Sequence, residues 1–305
     1  MKLPQTRMQA AVLALAAILP ITAIHAQELW DPHLRGVNEG LAAGVLPPKG
    51  VYGVLNNYWT WVDKYDNNGN KTGLRVRALI ELPEVLWSTG LKVFGADYAV
   101  AIAQPVDYTT LSGNGIPANG GWGSFNTILV PGQLSWTLPN NLHLKTSLAV
   151  YLPNGSSSPG RLPSGTYLGA ANGFWTLQPG VALSWLHAGW NLSMDATYAY
   201  NFRNPDTHYQ SGQQLAIDYT AARTIGNWTL GLGGYQENQL GDDSGSGAAA
   251  CGHAGGCRAS NYGIGPLLGY QFGKLKLMAI YNFGLQTRND VGGNFFNLRL
   301  SFPFQ

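Results

Sequence analysis

The sequence predicts an all-β fold, a transmembrane antiparallel β-barrel of about twelve strands. Three observations point there: apolar and polar residues alternate from Val51 to the C-terminus, connections alternate between long and short, and an export leader precedes them. The alternation is clearest in NLSMDATYAYNFR, residues 191–203. Leu192, Met194, Ala196, Tyr198, Tyr200 and Phe202 share one face there; Asn191, Ser193, Asp195, Thr197, Asn201 and Arg203 share the other. Side chains of a strand alternate with period two, so this segment has one greasy face and one polar face that carries charge.

Lys2 and Arg7 precede a mostly apolar run from Met8 to Ile24, and Ala26 supplies a small residue before a cut at Gln27. Residues 1–26 therefore read as a signal peptide, 27–50 as a periplasmic or plug segment, and 51–305 as the barrel. No later stretch approaches the ~18 consecutive apolar residues of a spanning helix. Charged residues make up 11% of the chain, against roughly 25% in ordinary soluble domains. The 40 glycines, 15 tyrosines and 10 tryptophans suit closely paired strands, tight turns and interfacial aromatic girdles. Without the leader's two cations, basic and acidic residues balance, which gives no reason to expect a nucleic-acid partner.

Taken in order, strands are predicted near 51–62, 74–86, 90–104, 123–138, 142–152, 173–186, 189–202, 210–224, 227–240, 261–272, 274–285 and 293–304. Long connections are predicted at Asp63–Gly73, Pro105–Trp122, Pro153–Asn172, Arg203–Tyr209, Gly241–Ser260 and Gln286–Gly292. Short ones fall at Ser88–Gly90, Pro139–Asn141, His187–Gly189, Ile225–Asn227 and around Gly273. Short periplasmic turns with longer outer loops and an even strand number describe bacterial outer-membrane barrels, with both termini on the periplasmic side.

Strand parity assigns the faces. In LHLKTSLAVYL, Leu142, Leu144, Thr146, Leu148, Val150 and Leu152 are predicted to face lipid, and His143, Lys145, Ser147 and Tyr151 the interior. In LRVRALIEL, Leu74, Val76, Ala78, Ile80 and Leu82 are predicted outside, and Arg75, Arg77 and Glu81 inside. Asp97, Asp195, Asp218, Glu237 and Arg299 have the inward parity on their own strands. A basic side chain facing lipid near the midplane costs about 2–4 kcal/mol, which favours the register that hides these charges. Mixed signs suggest ion pairs across a lumen, whether they serve a solute or only brace the wall.

Pro83, Pro131, Pro179, Pro266 and Pro303 all fall in strands of even order. Proline lacks an amide hydrogen, so each leaves a gap or bulge in the ladder. These positions either ease curvature or, at one of the first four, open sideways to release an apolar solute into the membrane. Nine tryptophans, from Trp59 to Trp228, mostly sit near strand ends as interfacial anchors; Tyr108 and Trp122 are kept as candidate contacts for an apolar solute at the mouth. Cys251 and Cys257 close a small loop, CGHAGGC, and read as a disulfide in an oxidising compartment. His253 between them lacks the further ligands of a metal site, so no metal is assigned.

Three segments carry a resemblance: NEGLAAGVLPPKGVYGVLNNYW (38–59), GGYQENQLGDDSGSG (233–247) and NYGIGPLLGYQFGKLKLMAIYNFGLQTRNDVGGNFFNLRLSFPF (261–304). They resemble outer-membrane proteins named for the meta-pathway of phenol degradation. The resemblance implies an outer-membrane transporter with a loose analogy to the fatty-acid transporters, and no catalytic residues. By that analogy residues 27–50 fold up into the lumen as a plug, with Arg35 and Glu39 pairing with wall charges; a loose periplasmic tail is the alternative. The protein is thus expected in the outer membrane of a Gram-negative bacterium. It is expected to mediate passive uptake of small hydrophobic or aromatic compounds, without a cofactor and with membrane lipid and the barrel-assembly machinery as partners. The alternatives are a general diffusion porin, a structural barrel and an outer-membrane lipase. A lipase needs a serine–histidine pair on the lipid-facing wall; His143 has the inward parity, His187 sits in a turn, and no Gly-x-Ser-x-Gly elbow is present.

Overall fold

The computed structural model of the chain describes residues 30–113, 116–156, 171–246, 248 and 257–304. The predicted leader lies outside them. Strands β1 (Gly50–Tyr65), β2 (Lys71–Val93), β3 (Ala96–Ala103), β4 (Val106–Gly113), β5 (Ile116–Ser124), β6 (Ile128–Thr137), β7 (Leu142–Tyr151) and β8 (Thr176–His187) form the first half. They are followed by β9 (Trp190–Asn201), β10 (Tyr209–Gln210), β11 (Gln214–Ile225), β12 (Trp228–Gln239), β13 (Ser244–Gly245), β14 (Ser260–Phe272), β15 (Leu275–Arg288) and β16 (Val291–Pro303).

β1 pairs with β2 on one side and β16 on the other, and this seam closes the antiparallel sheet into a barrel. β4 prolongs β3 along the same edge of β2, and β5 runs into β6, so each pair forms one wall strand. The wall therefore has twelve strands. Closure leaves no free edge over most of the wall, which satisfies backbone groups that lipid cannot. At the outer end the two-residue ladder of β10 with β13 ties the β9–β11 connection to the β12–β14 connection.

Several connections differ from the sequence reading. Residues 106–113 and 116–122 belong to the paired strands β4 and β5 rather than to a loop. The first periplasmic turn lies at Phe94–Gly95, not at Ser88–Gly90. Both turn residues have positive φ, 51° and 79°, the backbone twist that two-residue hairpin turns require. Ser88 marks only an irregularity in the β2–β3 ladder. The connections predicted at 63–73 and 286–292 shorten to 66–70 and Asn289–Asp290 because β1, β2, β15 and β16 run further outward.

Ser193, Asp195, Thr197, Ala199 and Asn201 of β9 are buried inside, while Leu192, Met194, Tyr198 and Tyr200 point outward. On β2 the faces are reversed from the sequence reading. Val76, Ala78, Ile80 and Leu82 are buried against the interior, where their cross-strand partners Tyr58 and Asn56 of β1 also point. Arg75, Arg77 and Glu81 consequently face outward. The physical reason is that the lumen is filled with protein: Val76, Ala78 and Ile80 join a buried apolar cluster with Trp30, Tyr58, Phe125, Tyr235 and Phe295. An apolar face on this strand therefore need not meet lipid. Arg75 and Arg77 lie beside Asp63 and Trp61 toward the outer end of β1, where a cation reaches water and headgroups.

Candidate functional site

Residues 30–49 thread the lumen from its outer to its periplasmic end. Near the outer end, the Arg35 guanidinium donates to Glu237 of β12 (2.5 Å), to Asp290 in the β15–β16 turn (2.6 Å), to Asp31 (2.7 Å) and to the Val291 carbonyl (2.6 Å). Midway, Asp218 of β11 accepts the Gly36 and Asn38 amides at 3.0 and 2.9 Å and pairs with His33 at 3.3 Å. Further in, Gly40 N–H reaches the Thr220 hydroxyl, Gly44 N–H the Ser184 hydroxyl, and Asn191 donates to the Leu41 carbonyl. Arg299 of β16 donates to Asn56 Oδ1 and to the carbonyls of Glu39 and Val37. A segment without regular structure is thus satisfied by the wall, as buried backbone must be.

Burial lowers the proton affinity of His33, but the Asp218 carboxylate beside it more than compensates and pushes its pKa up to about 9. Glu39 is fully buried. Burial, and then the charge of Asp218, hold its carboxyl well above the usual range despite a hydrogen bond from Asn282 at 2.8 Å. Its slot exists because Gly36 and Gly233 lack side chains: a Cβ on Gly233 would lie 2.3 Å from Glu39 Oε2. Asp31, Glu237 and Asp290 place carboxylate oxygens within 4.8 Å of one another, close enough for a metal ion. Arg35 already stands among them as the counter-cation.

The lumen is two-sided. Tyr58, Val62, Val76, Ala78, Ile80, Leu111, Val291 and Phe295 make an apolar patch on the β1, β2, β4 and β16 side, with Leu34 packed against it, although Asn56, Asp107, Asn297 and Arg299 also face inward there. β8, β9, β11 and β12 present Gln178, Ser184, Asp195, Asp218 and Glu237. In the outer half, cavities of about 50 Å³ and about 30 Å³ flank Leu34. These are too small for a ring, since a benzene-binding cavity measures about 150 Å³. A larger cavity of about 360 Å³ opens at the periplasmic end beside Lys276 and Asn191.

Of the residues singled out by sequence, Asp195, Asp218, Glu237 and Arg299 are buried in the lumen with Arg35 and Glu39. Lys145 lies 3.9 Å from Asp195 there. Asp97 has the inward parity but sits at the periplasmic rim, paired with Lys92 at 2.7 Å. Tyr108 and Trp122 do not line the mouth. They face outward from the β4–β5 hairpin, ring centroids 5.3 Å apart, at the level of Leu79 and Trp59. Strand parity sends Asp107, Thr109 and Leu111 inward instead.

Pro83, Pro131, Pro179 and Pro266 all point outward. Pro131 sits on a bulge between β6 and β7. Pairing lapses beside Pro179 and Pro266, yet at Pro266 the wall stays shut: a Cβ on Gly265 would meet the Tyr281 carbonyl oxygen at 1.7 Å. Cys257 is disulfide-bonded; Cys251 lies outside the described residues.

Sequence reasoning missed Asp31 and His33, which lie in a segment with no periodicity, and Asp290, which sits in a turn. It also missed an irregularity in the wall, crossed by one backbone bond from the Phe125 amide to the Pro105 carbonyl at 3.0 Å. Between the pairs Ala103–Ile128 and Val106–Ser124, the two residues Gln104 and Pro105 stand opposite the three residues 125–127. The Gln104 side chain spans this irregularity, donating to the Pro105 and Phe125 carbonyls at 3.2 and 3.0 Å and accepting from the Thr127 hydroxyl. Behind it lies the cavity lined by Leu34, Leu82, Phe125 and Ile128.

Residues 63–300 match the family model described as "Putative MetA-pathway of phenol degradation". The chain belongs to this family. The fold is similar to the COG4313 outer membrane channel from Pseudomonas putida F1, with a TM-score of 0.73 at 15% identity over 85% of this chain and 97% of that one. It is also similar, with a TM-score of 0.50 and 11% identity, to the translocator domain of the autotransporter NalP from Neisseria meningitidis, over 85% and 90% of the two chains. No curated protein matches it in sequence. The family member is thus a closed twelve-stranded barrel of the outer-membrane type.

Proposed function

We propose that this family member is an outer-membrane channel for passive uptake of small hydrophobic or aromatic compounds, opened by movement of residues 30–49. The observation that carries this reading is the two-sided, occupied lumen. A solute entering past Trp30 meets Leu34, Leu82, Phe125 and Ile128 along the apolar wall, while the hydrogen-bonded segment denies polar solutes a water-wide path. The similar Pseudomonas putida structure is described as a channel, which agrees. The wall irregularity beside Gln104 offers an apolar solute a sideways exit into the membrane, and this position suits such a route better than the prolines do. A general porin is less well supported, since the outer-half cavities are only water-sized.

The test uses cells, because phospholipid alone passes apolar solutes whereas an intact outer membrane resists them. Cells carrying the protein should take up labelled toluene several-fold faster than cells without it, with no gain for a pentose. Arg35→Ala should release the segment and admit the pentose as well. Equal gains for both solutes in the unaltered protein would make it a general porin, and no gain for either would leave a structural barrel.

A further inference from the structure

The cavity at the periplasmic end has a chemistry that the uptake reading does not use. Its walls include Gly40, Leu186, Asn191, Thr224, Thr229 and Lys276. Lys276 points inward from β15 and has no ion-pair partner among the described residues. The Thr224 and Thr229 hydroxyls lie 3.0 Å apart. One donates to the other, so one hydroxyl proton remains free for a guest. Asn191 spends one amide hydrogen on the Leu41 carbonyl and keeps the second. Deeper in the same barrel, the buried Arg299 guanidinium contacts three neutral oxygens and no carboxylate. The cavity therefore holds donors and a cation, with no carboxylate in its lining.

The outer end has the opposite character. Asp31, Glu237 and Asp290 surround Arg35 there, and Asp218 pairs with His33 further in, which disfavours an anion from the outer end to the middle of the lumen. Lumen potential thus favours an anion only toward the periplasm. We infer that this periplasmic vestibule, with unpaired Lys276 facing the Thr224–Thr229 hydroxyls and Asn191, is a binding site for a small organic monocarboxylate. Lys276 is the one lysine or arginine in a lining that also holds His187; one ammonium suits a single negative charge, and a charge-assisted bond to it is the strong type. Leu186 and the bare Gly40 backbone leave room for an apolar body beside the carboxylate. The inference does not depend on what passes through the channel.

Fluorine NMR of the full chain in detergent tests it, with 4-fluorobenzoate and the neutral 4-fluorobenzyl alcohol as probes. Benzoate should show a saturable shift, and Lys276→Gln should weaken its binding about tenfold or more, as expected for loss of a hydrogen bond to a charged group. Lys276→Arg should restore most of it, and Lys274→Gln, in the exposed turn, should leave it unchanged. Alcohol binding as tight as benzoate, or benzoate binding that survives Lys276→Gln, would overturn the inference. If Lys276→Gln loses the heat-dependent gel shift of a folded barrel, salt decides with the unaltered protein. Benzoate affinity that falls as salt rises from low to molar concentration supports the site, and affinity indifferent to salt removes it.

Discussion

Arg35 and His33 hold the lumen segment by two kinds of charge. Arg35 sits among three carboxylates and forks between them. Removing one partner of such a buried group costs about 3–5 kcal/mol, because the remaining charges are left facing one another. His33 adds a titratable lock. Its folded pKa of about 9 lies above the ordinary 6.5. Its contribution is therefore complete below pH 6.5 and is lost as pH rises through about 9. Hydrogen exchange at the amides of residues 33–44 should accelerate between pH 6.5 and 9.5 beyond the intrinsic base-catalysed rise, and His33→Asn should abolish that excess. Exchange that tracks the intrinsic rate would assign the lock elsewhere. Strand parity made Asp218, Glu237 and Arg299 readable in the sequence as one face of their strands. It failed for Arg75, Arg77 and Glu81 because parity groups residues by face without saying which face is inside. That choice rested on apolar residues seeking lipid, and here Val76 and Ile80 seek Trp30 and Tyr58 instead.

At the scale of elements, strand existence was legible and strand length was not. Alternation marks where a strand runs, but β5, IPANGGWGS, holds three glycines and a proline and so reads as loop in the sequence. The turn at Phe94–Gly95 was hidden because phenylalanine is an uncommon residue at positive φ. Prolines were legible as ladder interruptions, but their consequence was not, since closure there depends on a neighbouring glycine. Gly265 lets β14 and β15 approach at the lapse beside Pro266. Gly265→Ala would place its Cβ 1.7 Å from the Tyr281 carbonyl oxygen, a backbone clash that costs at least the ~1–3 kcal/mol of ordinary overpacking. Gly132, where an added Cβ would lie 3.8 Å from the Tyr98 ring, supplies the control. In urea titrations followed by tryptophan fluorescence, Gly265→Ala should unfold at lower urea and Gly132→Ala near the unaltered midpoint. Coincident midpoints would show that the strands can part at Pro266 after all.

For the whole molecule, the barrel was readable from short turns alternating with longer connections and from the low charge content, because closure and lipid impose both. What fills it was only an analogy at the sequence level, since residues 30–49 carry no periodicity. The segment ends at Gly50, where β1 begins, and β1 closes the wall by pairing with β16, the last strand of the chain. Trp30 lies at the far end of the lumen, beside Phe125. The protein is a ship built inside its bottle: the cargo can shift once aboard, but it boards before the last seam is sewn, because threading its whole length later would strip its backbone groups of water before the wall could replace it. A globular domain fused directly ahead of Trp30 should therefore stall maturation with the β1–β16 seam unmade, seen as loss of the heat-dependent gel shift. The same domain attached after Phe304 through a flexible linker should be tolerated.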